Sequence, residues 1–450
     1  MSSRSLAQDG KKSSAEMRIE MEKKFWEYGA LQVSENKRYL INGDRPFFWL
    51  GDTAWLLFQK LSLSDARRYL ENRRAKKFRV IQATLVHMVM ENQVVRADFD
   101  TEDYWEHCDA IISMAEEMGL YMALLPAWGS LVKEKYITEE NVERYAAFLA
   151  ERYGNCPNVI WLLGGDIRGT DGFAVYQTLG NYLKAHTKQQ LVGFHPFGRT
   201  SSSLWFHQEK WLDFNMFQSG HRRYDQVSLG EWDDNNGKEG WFGEDNWKYV
   251  NRDHAYSEKK PTVDGEPSYE WIPQGLHDPK EPFWQASDVR RYAYWSVFQG
   301  AMGHTYGDNA VMQFYNTPEK PGSYGVKEVW MDAIHHEGSC QMSHLVNLME
   351  SVDFQNGMPA EDLLAFEQRE KYGRVSIFAG ENYILCYTYL GEEFSLKLDR
   401  YQGKMLAASW FDPASGVYSP IGEVKAEETV FKPIKKYSNG NDWVLRIDIR

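Results

Sequence analysis

Cysteine is scarce. The 450-residue chain has four, Cys108, Cys156, Cys340 and Cys386, scattered without a CxxC pair. That spacing excludes a close-set structural zinc site or a disulfide framework, and it points to a reducing, cytoplasmic setting. Long apolar runs are also missing. No window approaches the roughly 18 consecutive apolar residues of a membrane-spanning helix, and the opening MSSRSLAQDGKKSSAEM has no signal-peptide apolar region. Positive charge is the third shortage. Lys and Arg number 51 against 64 Asp and Glu, a net charge of −13. A nucleic-acid binder needs clustered cations to neutralise phosphates, so that class is set aside. What is abundant is aromatic: 15% Phe, Trp and Tyr, with 17 Trp and 26 Tyr. Flat side chains on this scale build cores and also line sugar-binding clefts.

Residues 1–30 read as a polar arm with a short helix over 14–28. Beyond it, short apolar runs alternate with longer amphipathic stretches, the pattern of repeated βα units over a parallel sheet. Strands are expected at 47–50, 80–85, 121–125, 159–163, 191–194, 214–217, 261–264 and 301–305. Helices are expected between them, including 64–76, 104–118 ending at Gly119, and 138–153 with Thr138 as N-cap and Gly154 at the C-terminus. The polar, Gly/Asn-rich stretch 232–258 reads as the sixth crossover, with a helix from about Asp245. Eight repeats in about 310 residues fit an α/β fold of the (β/α)8 TIM-barrel type, placed at 31–351. From about Val352 helical periodicity fades. Strands expected at 375–378, 383–389, 394–398, 404–411 and 443–449 make residues 352–450 a small all-β sandwich.

In such a barrel the reacting groups project from the C-terminal ends of the strands. The polar groups at those ends are Asp52 with Trp55 after strand one, Asp166 after strand four, and His195 after strand five. Gln218 and His221 follow strand six, Glu266 follows strand seven, and His304 and Tyr306 belong to strand eight. Two carboxyls across one rim are the minimum machine for cleaving a glycosidic bond: one protonates the leaving oxygen, the other stabilises or attacks the anomeric carbon. Asp166 and Glu266 make the best pair, since strands four and seven face each other and both residues follow glycines that let a sugar ring approach. Each taken singly could equally be a helix N-cap or a loop ion pair. Asp52 is assigned to sugar hydroxyls, although it could cap the first helix. Trp128, Trp161 or Trp205 could offer stacking platforms, with Trp161 reading as core because it lies inside a strand. His195, His221 and His304 come from separate strands without the HExxH spacing of a metalloprotease, so they are read as donors to sugar or carboxylate and no metal is expected. No cofactor is implied.

These residues lie in runs that resemble the apiosidase-like glycoside hydrolases: GDTAW (51–55), WLLGGD (161–166), HPFG (195–198), QSGH (218–221), DGEPSYE (264–270) and GHTYG (303–307). That family joins a (β/α)8 barrel to a C-terminal β-domain named for collagen binding, and WFDPASG (410–416) is similar to a late motif of that domain. The resemblance implies a retaining glycosidase with Asp166 as acid/base and Glu266 as nucleophile, and apiosides as the first substrates to try. Asp166 must then be protonated when substrate binds, and Tyr269 or Tyr306 could orient the nucleophile. Two rivals stand beside this reading: a silent carbohydrate-binding or scaffold barrel, and a metal-dependent hydrolase using the rim histidines. The oligomeric state is not legible.

Overall fold

The eight apolar runs become eight parallel strands: β1 (Trp49–Thr53), β2 (Val80–Thr84), β3 (Tyr121–Leu125), β4 (Val159–Ile167), β5 (Val192–Pro196), β6 (Asn215–Phe217), β7 (Thr262–Asp264) and β8 (Gly303–Tyr306). The computed structural model describes residues 23–87, 102–226, 242–317, 321–436 and 440–450. Hydrogen bonding runs in the order β5-β4-β3-β2-β1-β8-β7-β6. The remaining seam, between β5 and β6, is tied by Asp213. Its N–H donates to the Val192 carbonyl at 2.8 Å and its carboxylate accepts the Val192 N–H at 2.8 Å. Lys184 meets the same carboxylate at 2.6 Å.

Helices α1 (Leu63–Ala75), α2 (Glu102–Glu117), α3 (Val142–Tyr153), α4 (Phe173–His186), α5 (Asn246–Ala255), α6 (Ala286–Phe298) and α7 (Glu337–Glu350) are the longer helices among the described residues. Strands and most helix faces are buried because apolar side chains fill both sides of the sheet. No helix among the described residues is long and apolar enough to cross a membrane.

The lower end of the barrel is closed by a three-stranded antiparallel sheet, Leu31–Val33, Leu40–Asn42 and Arg45–Phe47. Its Asn42 donates to the Tyr121 hydroxyl at 2.7 Å, at the start of β3. Of the expected helix over 14–28, residues 14–22 lie outside the described ones, and the rest forms only a short turn at Phe25–Glu27. Phe25 is no solvated arm residue. Its ring packs edge-on against Phe47 at 5.1 Å.

Several strand ends differ from expectation, and three matter for the site. β5 runs on to Pro196, so His195 lies inside it instead of after it. β1 runs on to Thr53, so Asp52 sits inside a strand instead of after it. β4 runs to Ile167 through a register shift, so Gly164, Gly165 and Asp166 form a bulge within the strand.

The C-terminal region builds a six-stranded antiparallel sheet in the order Met358–Pro359, Val375–Gly380, Tyr383–Thr388, Trp443–Ile449, Leu406–Phe411, Tyr418–Val424, with a two-stranded sheet of Phe394–Leu396 and Thr429–Phe431 against it. One face packs on α6: the Tyr294 and Tyr387 rings stack at 4.8 Å, and Phe298 meets Phe378 at 6.2 Å. The other face encloses a separate core that includes Leu363, Phe394, Trp410 and Phe431. At the junction Arg290 holds Asp442 with two buried hydrogen bonds, of 2.9 and 2.7 Å. Removing one partner of such a pair leaves a buried charge alone. Arg290→Met is expected to lower the unfolding free energy by about 3–5 kcal/mol, and adding Asp442→Leu to recover much of it. Urea unfolding of the full chain checks both; equal losses in the single and double variants would contradict it.

Candidate active site

Three consecutive residues of the β4 bulge lie in the left-handed half of backbone space: Gly164 (φ +92), Gly165 (φ +102) and Asp166 (φ +47). The glycines are there for space as well as conformation. A Cβ on Gly164 would sit 2.3 Å from the His195 carbonyl, and one on Gly165 2.8 Å from the Trp128 ring. Asp166 takes the strained position with a full side chain, a conformation that persists only where surrounding structure imposes it. Its carboxyl lies deep among protein atoms yet open to the cleft, as befits a group on the floor of an open recess.

Glu266 follows β7 and Gly265, and its carboxylate lies between two imidazoles. His221 Nε2 is 3.0 Å from Oε1, and His195 Nε2 is 3.2 Å from Oε2, the latter off the line of an ideal hydrogen bond. The Tyr269 N–H points at His221 Nδ1 at 3.4 Å, which assigns the His221 proton to Nε2 and makes it the donor to Glu266. One carboxyl oxygen of Asp166, one of Glu266 and a ring nitrogen of His195 all lie within 4.8 Å of one another.

Electrostatics divide the two acids. Burial raises Asp166 most, the Glu266 charge adds to it, and His195 and a Gln218 hydrogen bond pull back, leaving it pushed up to about 7. Burial also works against an ionised Glu266, but the hydrogen bonding of His195 and His221 to its carboxylate outweighs it and holds this carboxyl well below the usual range. Two carboxyls in one cleft are thereby driven in opposite directions.

The surrounding wall is aromatic. Trp55 meets His195 edge-on at 5.1 Å and Trp128 at 5.2 Å, and His87 packs on Trp128 at 5.1 Å. The Tyr269 ring stands across His221 at 4.8 Å, and its buried hydroxyl meets no partner of full hydrogen-bond geometry. Asp166, Gln218, His221 and Leu276 line a recess of about 70 Å³. A wider recess of about 520 Å³, lined by Lys23, Arg45 and Arg74 at the barrel's base, holds no such carboxyl–imidazole cluster.

Asp166, Glu266, His195, His221, Gln218, Tyr269, Trp55 and Trp128 are thus brought together, and three expected members are not. Asp52 occupies an outward pleat of β1, fully buried, where its carboxylate accepts from Tyr69 and from Arg73 Nε at 2.6 Å. It anchors α1 and cannot reach sugar hydroxyls. His304 and Tyr306 share the outward face of β8, since Thr305 between them points into the barrel toward Trp49. His304 is buried, and burial pushes its ring down to about 3, so it stays neutral. The Tyr306 hydroxyl donates to Glu270 at 2.5 Å, not to Glu266. Trp161 is core, its indole bonded to Gln190 at 2.6 Å, and Trp205 packs against Gly169.

A second cluster, Glu270, Asp308 and His336, lies behind the rim. Its oxygens are occupied by Tyr306, by the N–H groups of Gly338, Ala310 and Val311, and by His336 at 2.7 Å. It braces the loops after β7 and β8.

Two residues escaped the strand-end rule. Tyr324 sits in a loop after β8 with φ +55, its ring 5.8 Å from that of His277; burial raises its hydroxyl to about 12, and the charges of Asp166 and Glu266 push the same way. Nothing local in PGSYG marks it. Asp264 is the inner neighbour of Glu266, buried, and accepts from Ser219 and from Asn246 Nδ2 at 3.0 Å.

Residues 34–356 match the family model of the apiosidase-like catalytic domain, and 358–448 match the model described as "putative collagen-binding domain of a collagenase". The chain belongs to the apiosidase-like glycoside hydrolases. A solved glycoside hydrolase is 40% identical over 94% of this chain and 97% of its own, with a TM-score of 0.88. A glycoside hydrolase family 5 structure from Bacteroides vulgatus ATCC 8482 is 38% identical over 94% of both chains, with a TM-score of 0.86. No curated protein matches. The protein is therefore a glycosidase on a (β/α)8 barrel, and its substrate is a carbohydrate.

The electrostatics of this glycosidase can be read directly. A carbon-detected titration of Asp166 is expected to centre near pH 7, and Glu266→Gln to lower the midpoint, since the Glu266 charge is one of the two causes that raise it. An unchanged midpoint would contradict the coupling.

Proposed function

We propose that the enzyme cleaves its glycoside with retention of configuration, Asp166 serving as acid/base and Glu266 as nucleophile, and that an apioside or a related plant-derived glycoside is the substrate. The observation that carries this is the pair's close approach, with one oxygen of the Asp166 carboxyl within 4.8 Å of one oxygen of Glu266, combined with the opposite shifts of the two carboxyls. Retaining glycosidases hold their carboxyls about 5 to 5.5 Å apart, whereas inverting ones keep roughly 6.5 to 9.5 Å to admit a water.

In the first step the protonated Asp166 gives its proton to the glycosidic oxygen as the bond to the anomeric carbon breaks. Ionised Glu266 attacks that carbon from the opposite face and forms a glycosyl ester. Asp166, now a carboxylate, then takes a proton from water, whose oxygen displaces Glu266 and restores both groups. His195 and His221 keep Glu266 ionised between turnovers. Trp55 and Trp128 offer flat apolar surface to a sugar face. All four cysteines are free thiols, which suits a reducing compartment and short, imported glycosides.

The test is a panel of aryl glycosides and apiosylated plant glycosides, with the product anomer followed by NMR. Retention is expected, and inversion would overturn the nucleophile assignment. Asp166→Asn and Glu266→Gln should each lower kcat by about 10²–10⁴ in a folded protein; wild-type rates in either would refute its role. The sign of the pH dependence follows from the shifts: activity needs Asp166 protonated, so it falls as pH rises through about 7, and it needs Glu266 ionised, so the acid limb lies well below the usual carboxylate range. With an activated leaving group, Asp166→Asn should keep residual turnover and lose the alkaline limb.

A further inference from the structure

We infer that Gln82, from the opposite side of the barrel interior, is a positioning residue that fixes the peptide carrying Glu266; the inference rests on the assignment of Glu266 as nucleophile. Gln82 is fully buried on β2, and its Nε2 donates to the Gly265 carbonyl at 3.0 Å. Its Oε1 accepts from Thr305 Oγ1 at 3.4 Å, and that same hydroxyl oxygen accepts the Trp49 indole N–H at 3.0 Å. The direction of this relay follows from its two ends. The Gly265 carbonyl can only accept, so Gln82 turns its NH₂ there and its Oε1 toward Thr305; the Trp49 indole can only donate, so Thr305 Oγ1 accepts it and has its own proton for Gln82 Oε1.

The peptide at the far end needs such a hold. Gly265 has no side chain to pack, and a Cβ there would lie 2.3 Å from the Met216 sulfur. Its conformation is set by polar contacts alone: Gly265 N–H to the Phe217 carbonyl at 2.9 Å, Gly220 N–H to the Glu266 carbonyl at 3.0 Å, and Gln82 on the peptide oxygen between them. The imidazoles of His195 and His221 fix the carboxylate, and Gln82 fixes the backbone end of the same side chain. A misplacement of about 1 Å at a reacting group costs on the order of 100-fold in rate.

The experiment uses the full chain and the aryl glycoside turned over fastest in the panel, with kcat and KM measured separately and folding checked by thermal unfolding. Gln82→Met is expected to lower kcat about 10- to 100-fold while KM stays within about threefold. Thr305→Val, which leaves Gln82 in place and removes the hydroxyl that joins it to the Trp49 indole, should lower kcat in the same direction by less. The double variant should be no slower than Gln82→Met, because both changes cut one relay. A folded Gln82→Met enzyme with wild-type kcat, or losses that multiply in the double variant, would overturn the inference. If Gln82→Met does not fold, Thr305→Val carries the test, and an unchanged kcat there overturns it. Glu266→Gln separates the two levels: if that variant keeps its activity the nucleophile assignment fails, whereas if it is inactive while Gln82→Met is unaffected, only the positioning role fails.

Discussion

A carboxylate that has lost its water must find other donors, and in this barrel the arrangement follows from how Glu266 finds them. Left alone in a cleft it would take up a proton and lose its charge. His221 reaches it from the loop after β6 and His195 from β5. To let β5 bring His195 in, the neighbouring strand must give way, and it does so at Gly164, whose Cβ would collide with the His195 carbonyl. The same kink swings Asp166 out of the ladder into the cleft. The second acid's placement is thus a consequence of what the first acid's partner requires.

Much of this was legible in the sequence, because a strand in a closed barrel announces itself by an apolar run and its polar end by the next residue. That rule names Asp166, Glu266, His195, His221 and Gln218, which the structure gathers in one cleft. It misleads where a longer strand changes the way a side chain points. Asp52 was placed after a strand stopping at Leu50, but the strand continues to Thr53, and one extra pleat turns the carboxylate from the rim to the helices, where Tyr69 and Arg73 wait. His304 and Tyr306 failed for a related reason: alternation sends Thr305 inward and its neighbours outward. Side-chain parity is set by where pairing begins, and a sequence gives apolarity more readily than register.

The same limit explains the C-terminal sheets. Strands with buried faces, such as Tyr383–Thr388 and Trp443–Ile449, stood out as apolar runs. Tyr418–Val424 did not, because it is an edge strand with mostly exposed side chains and a proline, and Thr429–Phe431 is too short to show a period. The domain they form is fastened to the barrel by stacked tyrosines and the buried Arg290–Asp442 pair. With its other face closed over its own core, it acts as a cover for α6, whose residues are nearly all buried.

Asp264 shows that the neighbourhood of the ionised Glu266 is built from more than donors. It stands two residues before Glu266, and a full negative charge there would oppose the ionised Glu266 through poorly screened protein. Burial pushes Asp264 up to about 7 against the pull of Ser219 and Asn246. That shift weakens the negative charge behind Glu266 while leaving the Ser219 and Asn246 hydrogen bonds that hold the turn after β7. Desolvation thus acts on both carboxyls of this turn, and it prevails at Asp264, whose partners are a hydroxyl and an amide, but not at Glu266, where His195 and His221 stand within 3.2 Å.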